Sequence, residues 1–359
     1  MRIAVLGVGL IGGSIGLAAR ARLDAEVAGY DPDGDLLNRA AERGAIDSRH
    51  ASVAGAVEDA EIVFCAAPVA ALPGLAAEAL AASSGDTAVT DVGSVKTDLV
   101  GEVGDEERFI GGHPLAGAET SGVENARADL FEGARWYLTP TKRTGGLLYD
   151  RVQRAIAELG ARPQAIEAEA HDRLMATVSH LPHVLANVLV EQAAEAASEE
   201  AERLPEVGPS FRDATRVAGA NPTIWGDIFT GNREAVAAEI DAVAKRLTEA
   251  SKLLRGADPD ELEAWHAQAG SRRRELLEAE LAGGPLYELR VMVPNRPGIV
   301  AELALELGRA GVNIEDMALY PAADMTSGAI SLYVAGGEEA ERAAELVSKL
   351  GHDVSRVDR

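Results

Sequence analysis

The chain begins with Arg2-Ile3-Ala4-Val5-Leu6-Gly7-Val8-Gly9-Leu10-Ile11-Gly12, an apolar run that passes directly into a glycine-rich segment. A strand followed by G-x-G-x-x-G at the start of a helix is typical of dinucleotide-binding folds. Gly7 permits a tight turn, Gly9 lets the backbone approach a pyrophosphate, and Gly12 allows the helix to pack closely. The free N–H groups of the first helical turn, at Leu10 and Ile11, are expected to hold the phosphates.

An acidic residue closes the second apolar run of the chain. Asp31 follows Val27-Ala28-Gly29-Tyr30, nineteen positions after Gly12. A carboxylate at this point accepts hydrogen bonds from the adenosine ribose hydroxyls and repels a 2′-phosphate. The following Pro32-Asp33 offers no arginine to receive such a phosphate. The sequence therefore predicts NAD rather than NADP as the cofactor.

Length and composition are typical of a multidomain soluble enzyme. A chain of 359 residues is long enough for two or three domains, each with its own core. The sequence shows no charged leader and no run of 18 apolar residues, so we expect cytoplasmic residence and no membrane association. The formal net charge of −24 argues against nucleic acid or an anionic membrane as a partner. The single cysteine, Cys65, lies in an apolar run and is predicted to be buried.

Three segments differ in their periodicity. Residues 1–166 alternate strand-like and helical stretches, which predicts an α/β domain with a Rossmann-type, doubly wound parallel sheet. Residues 167–282 show almost only helical periodicity, with long helices expected at 168–202 and 233–254. After the break at Gly283-Gly284-Pro285, residues 285–359 read as βαββαβ, the order of a ferredoxin-like module.

Two loops after predicted strands of the first domain carry polar groups. Ser94 lies in Asp91-Val92-Gly93-Ser94-Val95-Lys96, where it could be a site residue or only a helix N-cap. His113 ends a strand and is followed by Pro114, and it could be catalytic or a buried structural histidine. Since ligands bind at the carboxyl ends of strands in such sheets, both are candidate catalytic residues.

The helical segment adds polar residues at helical spacing. Asp172, Ser179 and His183 are expected within roughly 40° on one helix face, at about 100° per residue. This face would line a site or, alternatively, be exposed to solvent. Pro182 is expected to interrupt and kink the helix there.

A pair of arginines follows the long helix. Arg212 and Arg216 are four residues apart, so both guanidinium groups could face one cleft and bind a substrate with two carboxylates. Alternatively, Arg212 could pair with Asp213 or Glu206 at the surface.

Taken together, these segments resemble the prephenate and arogenate dehydrogenases of tyrosine biosynthesis over essentially the whole chain. The residues that carry the resemblance are the glycine-rich start, Asp91 to Lys96, Gly111-Gly112-His113-Pro114-Leu115-Ala116-Gly117-Ala118-Glu119, Leu138 to Thr141, Val178 to His183, Phe211 to Arg216 and Asn221 to Trp225. The tail resembles an ACT domain through Val293 to Gly298 and Ala310 to Ile314. Members of the family can carry lysine where this chain has Arg212, which keeps the charge but changes the geometry of carboxylate binding.

The resemblance implies NAD-dependent oxidative decarboxylation of prephenate to 4-hydroxyphenylpyruvate by a homodimer. His113 would accept the hydroxyl proton and Ser94 would orient the hydroxyl or His113. No metal is implied, because formation of an aromatic ring drives the loss of CO2. The residues expected around the substrate are Arg216, Arg212, His183, Ser179, Glu119 and Asp172, of which the last two would gate or stabilise the cleft.

The sequence is also compatible with other substrates and functions. Arogenate would give tyrosine directly in the same reaction, and a β-hydroxyacid dehydrogenase or an imine reductase would share the glycine motif. A catalytically inactive NAD or amino-acid sensor lies outside catalysis altogether. The tail would bind an aromatic amino acid such as tyrosine through Asn295, Gly298 and Asn313, or it would only reinforce dimerisation.

Overall fold

The computed structural model describes residues 1–104, 106–117, 120, 122–200, 207–278, 285–294, 296, 299–314, 316–322 and 326–357. The chain divides into two compact units, Met1–Lys245 and Arg246–Arg359. Within the described ranges, no helix has both the length and the apolar composition needed to cross a membrane.

The first unit contains an eight-stranded sheet. Its strands, in the order of the chain, are β1 (Arg2–Leu6), β2 (Glu26–Tyr30), β3 (Ser48–His50), β4 (Ile62–Cys65), β5 (Ala88–Asp91), β6 (Phe109–Pro114), β7 (Arg135–Thr139) and β8 (Arg162–Ala165). In the sheet the strands are arranged as β3-β2-β1-β4-β5-β6-β7-β8. The order from β3 to β6 is that of a Rossmann fold, in which the strand order reverses between β1 and β4.

Helices cover both faces of this sheet. They are α1 (Leu10–Leu23), α2 (Gly34–Glu42), α3 (Val53–Val57), α4 (Leu72–Ala82), α5 (Thr97–Val103) and α6 (Gly146–Glu158). Central strands such as β4 and β5 are buried throughout, because apolar clusters pack against them from both sides. Cys65, at the end of β4, is buried as predicted, and burial raises the pKa of its thiol.

The prediction of a wholly parallel sheet is wrong at one position. β7 pairs antiparallel to β6, with His113 opposite Tyr137, whereas the other neighbouring strands are parallel. The connection from β6 to β7 contains only a short 3-10 turn among its described residues, Val123–Asn125, and not the crossover helix that parallel pairing needs. The sequence analysis also missed β3 and β8, which are the edge strands and lack apolar runs; β8 also contains Pro163.

The predicted helical segment is present. Within the first unit it comprises α7 (Ala168–Met175), α8 (Leu181–Glu200), α9 (Pro209–Thr215), α10 (Pro222–Gly231) and the start of α11 (Arg233–Gly256). A π-helical turn, Ala176–His180, connects α7 to α8 directly. The distortion that the sequence predicts at Pro182 is therefore observed, but in the turn before this residue. In a regular α-helix the proline ring would clash with the carbonyl group four residues earlier, which lies in this turn.

The second unit has a smaller sheet of its own. After α12 (Pro259–Glu278) come β9 (Leu286–Pro294), α13 (Ile299–Arg309), β10 (Asp316–Pro321), β11 (Ser327–Ala335), α14 (Gly337–Lys349) and β12 (Asp353–Arg356). The antiparallel sheet has the order β10-β11-β9-β12, and one apolar cluster packs its helices onto it. The predicted βαββαβ order is observed. Gly283 and Gly284, where the sequence predicts a break, lie outside the described residues.

Two glycines of α1 show why the helix can lie close to its neighbours. A Cβ atom on Gly12 would be 1.9 Å from the carbonyl oxygen of Gly7, and one on Gly16 would be 2.0 Å from that of Ala45. Both contacts are with backbone atoms, which cannot rotate away. The third glycine of the motif therefore has the packing role that the sequence predicts.

We expect Gly16→Ala to lower the free energy of unfolding by about 1–3 kcal/mol, because the added methyl group overpacks a fixed backbone contact. Gly74→Ala in α4 is the matched control, since a Cβ there meets nothing within 4 Å. That control should be neutral or stabilising by up to about 1 kcal/mol, because alanine favours a helix. Denaturant unfolding of both variants decides the matter, and equal stability of the two would contradict the packing role of Gly16.

Candidate active site

The glycine-rich loop lies between β1 and α1 at the carboxyl edge of the large sheet. Gly7 has a φ of +95°, and a Cβ there would lie 2.3 Å from the carbonyl oxygen of Ala66, so glycine is required. A Cβ on Gly9, in contrast, would meet nothing within 4 Å. Gly9 is also the N-cap of α1 and supplies no side-chain cap, which leaves the first helical turn open to an anion.

Asp31 lies beside this loop, directly after β2. Its Oδ2 accepts a hydrogen bond from the backbone of Val8 at 3.0 Å, and its Oδ1 accepts one from Asp33 at 2.9 Å. Each carboxylate oxygen keeps further acceptor capacity for a ribose hydroxyl. The open loop and the placed carboxylate therefore fit the dinucleotide that the sequence predicts, and Gly7, Gly9, Leu10, Ile11, Gly12 and Asp31 are the residues that would hold it.

A buried ion pair lies at the end of β5, which is separated from β1 by β4. The Asp91 carboxylate pairs with the ammonium group of Lys96, and both side chains are fully buried. Asp91 also accepts backbone hydrogen bonds from Gly93 at 2.7 Å and from Gly112 at 2.9 Å. Because Gly112 belongs to β6, this carboxylate ties the loop after β5 to the strand that carries His113.

Asp172 reaches the same region from α7. Its Oδ1 accepts from the backbone N–H of Lys96 at 2.9 Å, and its Oδ2 accepts from that of Thr97 at 2.7 Å. These are free N–H groups at the start of α5, so Asp172 caps a helix distant in sequence. Burial alone would raise the pKa of Asp172, but hydrogen bonds from His171, Thr97 and Lys96 hold it below its ordinary value.

Two histidine rings connect Asp172 to the end of β6. Nδ1 of His171 lies 2.8 Å from Oδ1 of Asp172, and Nε2 of His171 lies 2.9 Å from Nδ1 of His113. His171 is fully buried, whereas His113 is half-buried. Within the described part of the chain, Nε2 of His113 forms no hydrogen bond. The second ring nitrogen of His113 is therefore available to a ligand.

The surroundings keep His113 neutral. Its pKa lies well below the ordinary histidine range, first because the ring is removed from water and then because His171, Lys96 and His180 oppose a further positive charge. A neutral imidazole can accept a proton at its unprotonated nitrogen. Burial likewise lowers the pKa of Lys96, although Asp91 and Asp172 oppose that shift.

The helical side of the region contains two more histidines. His180 contacts the side-chain amide of Asn232, with Nδ1 and Nδ2 3.1 Å apart, and burial lowers its pKa to about 4. The ring of His183 stacks on Trp225, with centroids 3.4 Å apart. Burial and the nearby charge of Arg216 lower the pKa of His183. His183 and Arg216, both predicted to be substrate-binding residues, are thus close enough to interact electrostatically.

Asp172 and His183, which the sequence places on one helix face with Ser179, have different direct partners in the structure. Asp172 packs against α5, whereas His183 packs against Trp225, and Ser179 is half-buried between them in the chain. The prediction assumed about 100° per residue throughout, but the π-helical turn at Ala176–His180 widens the helix and changes the register.

The other predicted site residues that the structure describes lie at half-buried or exposed positions. Ser94 is half-buried and lies three residues before α5, whose N-cap is Lys96, so it is not a simple N-cap. Arg212 is exposed near the end of α9, and Arg216 begins a 3-10 turn, so the two do not share one continuous α-helix. Asn313 is exposed. Three predicted residues lie outside the described ranges: Glu119, Asn295 and Gly298.

The sequence analysis missed several residues of this region. Lys96 and Asp91 were quoted only as the ends of a loop, and His171 was not considered although it precedes Asp172. A buried lysine has no local signature, and His171 and Asp172 lie in α7 beside two further charged residues, Glu169 and Arg173, so the sequence does not mark them as buried. His180 and Asn232 come together only through tertiary packing.

Family models match most of the first unit and part of the second. Residues 15–165 match the nucleotide-binding domain of prephenate dehydrogenase, and residues 167–268 match its dimerization domain. The chain belongs to the prephenate dehydrogenase family. It is thus similar to known enzymes in both the segment that holds Asp31 and His113 and the segment that holds Asp172.

Individual proteins and a solved structure of this family are also similar to the chain. The chain is 29% identical to a prephenate dehydrogenase of Bacillus subtilis, over 96% of this chain and 95% of that protein. It is 32% identical to a prephenate dehydrogenase of Lactococcus lactis, over 83% of this chain and 84% of that protein. The solved structure of prephenate dehydrogenase from A. aeolicus, in complex with hydroxyphenyl propionate and NAD+, superposes with a TM-score of 0.71 at 32% identity, over 77% of this chain and 98% of that one.

We expect Asp172→Asn to lower the free energy of unfolding at pH 7 by about 1–3 kcal/mol, because it weakens charged hydrogen bonds to two backbone donors and His171. A carboxylate with a lowered pKa stabilises the fold above its unfolded-state pKa and loses that contribution as the pH falls through the folded-state pKa. The stability difference from the unmodified protein should therefore shrink on acidification from the ordinary carboxyl range, about pH 4.

The matched control is Glu169→Gln on the same helix. Glu169 is exposed and forms a surface ion pair with Arg173, so its replacement should change stability by less than about 1 kcal/mol. Chemical unfolding at several pH values measures both variants. A difference for Asp172→Asn that does not depend on pH would show that its charge is not what stabilises α5.

Proposed function

We propose that this chain oxidises prephenate with NAD⁺ and releases CO2 to form 4-hydroxyphenylpyruvate. The observation that carries the proposal is a neutral histidine, His113, with one ring nitrogen free at the carboxyl edge of a dinucleotide-binding sheet. Family membership supports the same reaction class. The relatives named above and the NAD+ complex of the A. aeolicus enzyme support the substrate and the cofactor.

The chemistry requires two transfers from the carbinol group of the substrate. Bound NAD⁺ would accept the hydride from the carbinol carbon. His113 accepts the hydroxyl proton at Nε2, and Ser94 orients the hydroxyl or the imidazole. When the carbonyl has formed, the ring carboxylate leaves as CO2, and the electrons of the broken bond pass through the ring to the carbonyl oxygen. That oxygen takes the proton back from His113, which gives the phenol of the product and the neutral imidazole.

The substrate carries two carboxylates, which need cationic partners. We assign Arg216 to one carboxylate, with Arg212 assisting, and His183 and Ser179 to the wall of the cavity on the helical side. Glu119 would gate the cleft. Asp172 stabilises the site from behind, since its carboxylate is already bound to α5 and His171. The segment 167–282 would also form the homodimer, as the description of the matching dimerization domain suggests.

The direct test is NADH formation, followed by absorbance, with prephenate and with arogenate, each with NAD⁺ and with NADP⁺. The proposal requires prephenate with NAD⁺ to be the preferred pair. Preference for arogenate would indicate that tyrosine is made directly. A preference for NADP⁺ would contradict the role of Asp31, and no turnover with any pair would favour the inactive sensor.

We further propose that residues 285–359 form an ACT domain that binds an aromatic amino acid, with tyrosine as the natural signal. The observed βαββαβ order supports this assignment, as does the sequence resemblance around Asn295, Gly298 and Asn313. Binding of the amino acid to a less active state would inhibit by linkage. A tail that only reinforces dimerisation is the alternative.

Replacing the base should remove most of the activity. His113→Asn is expected to lower kcat for prephenate by roughly 100-fold or more, because general-base catalysis contributes at least that much, while NAD binding stays nearly intact. His266→Asn, at an exposed position of α12, is the control and should leave kcat unchanged. A kcat for His113→Asn within a few-fold of the unmodified enzyme would contradict the assignment.

Replacing the carboxylate-binding residue should instead act on substrate affinity. Arg216→Ala is expected to raise KM for prephenate by an amount corresponding to about 1.5–3 kcal/mol, the usual contribution of a hydrogen bond to a charged group, since the Arg216 side chain is exposed. Arg154→Ala is the control, since this arginine of α6 is 78% exposed and forms a surface ion pair with Asp150. An unchanged KM for Arg216→Ala would place this residue outside the substrate site.

Regulation is tested by adding tyrosine to the full chain and to a variant that lacks residues 285–359. The deletion should leave prephenate oxidation largely intact and abolish the effect of tyrosine. In the full chain, Asn313→Ala should weaken the effect without changing KM for prephenate. Equal inhibition of the truncated enzyme, competitive with prephenate, would show that tyrosine binds in the catalytic cleft.

A further inference from the structure

We propose that His171, held by Asp172, is a positioning residue that fixes the tautomer of His113 so that Nε2 of His113 is the basic nitrogen. The arrangement of protons follows from the contacts when each of the two rings carries one proton. Its catalytic consequence rests on the proposed function, in which His113 accepts the hydroxyl proton.

The argument begins at Asp172, whose carboxylate has only acceptor atoms. It is buried, and two backbone N–H groups at the start of α5 already donate to it, at 2.9 Å and 2.7 Å. Donors of this kind favour the ionised carboxylate. An ionised carboxylate 2.8 Å from Nδ1 of His171 requires that this nitrogen carry the proton.

The next step concerns the contact between the two rings. With one proton on each imidazole, a proton on Nδ1 of His171 leaves its Nε2 as an acceptor. That acceptor lies 2.9 Å from Nδ1 of His113, which must therefore be the donor. The only proton of a neutral His113 is then on Nδ1, and Nε2 presents its lone pair away from His171. Hydrogen bonding to one ring nitrogen fixes the function of the other in the same way in metal sites and catalytic triads.

Packing fixes the orientation of both rings as well as their protons. The ring of His171 is edge-on to that of His113, with centroids 5.1 Å apart, and edge-on to that of Tyr137 at 5.7 Å. Tyr137 lies on β7 directly opposite His113 in the sheet. Among the described residues, the charged or titratable groups that face the pair are Lys96, Asp172, His180 and Tyr137.

The arrangement also suits the protonated form of His113. After Nε2 takes the substrate proton, Nδ1 still donates to His171, and the positive charge is stabilised through His171 toward the Asp172 carboxylate. Without an acceptor at His171, His113 can place its proton on Nε2 instead, and the base is then blocked. The loss would appear in kcat, since substrate binding does not use Nδ1.

The tautomer can be read directly by NMR. In full-length protein labelled with ¹⁵N in its seven histidines, the nitrogen shifts distinguish a protonated from an unprotonated ring nitrogen. The His113→Asn variant assigns the signals. We expect Nδ1–H and unprotonated Nε2 for His113, and a shift of the population toward Nε2–H in His171→Phe. This readout does not require any substrate.

Kinetics supply the second readout. His171→Phe should lower kcat for prephenate roughly 10- to 100-fold, the usual effect of removing a positioning partner, with KM for prephenate and NAD⁺ within about twofold. His171→Gln keeps an acceptor oxygen and should restore part of kcat. Tyr137→Phe is the matched control, because it keeps the ring against His171 and should change neither kcat nor the tautomer.

Two results would overturn the inference. One is a proton on Nε2 of His113 in the unmodified protein, which would mean that His171 donates to His113. The other is an unchanged kcat and tautomer in His171→Phe, or in His171→Leu if the Phe variant fails to fold, since neither side chain offers an acceptor. If the tautomer is as expected but the unmodified protein does not oxidise prephenate, the proposed function fails and the proton arrangement stands.

Discussion

The carboxylate of Asp172 at the start of α5 is the contact on which the candidate site depends. It joins the segment that matches the dimerization domain to the segment that matches the nucleotide-binding domain. The same carboxylate accepts from His171 and so reaches His113 through two rings. The buried Asp172 carboxylate therefore binds α7 to the start of α5, caps α5, and holds His171 in hydrogen-bond contact with His113.

A second buried charge holds the sheet side of the site. Asp91 binds Lys96, Gly93 and the backbone of Gly112, so the loop after β5 and the strand β6 are fixed to one another. Buried ion pairs contribute little net stability, but removing one partner is costly because the other remains uncompensated. We interpret the two carboxylates as the framework that keeps His113 in place, neutral, and with one nitrogen free.

Much of this could be predicted from the sequence, and the reasons for the remainder are physical. The glycine-rich loop, Asp31 and His113 are local features, each marked by a strand end and by residues whose chemistry is evident from their type. The antiparallel β7 was missed because strand direction depends on a connection without a regular helix. The pairing of His171 with His113 joins residues 58 positions apart, and the π-helical turn that changes the register of the helix has no simple sequence signal.

The most direct test of the account is the pH dependence of kcat/KM for prephenate, which reports groups of the free enzyme. Because the pKa of His113 is held well below its ordinary range, activity should persist on acidification below the usual histidine value of about 6.5. At still lower pH, protonation of His113 should lower kcat/KM. The residual kcat/KM of His113→Asn should not show this decrease. An acid limb at or above the ordinary histidine value, or one that survives in that variant, would contradict a neutral His113 as the base.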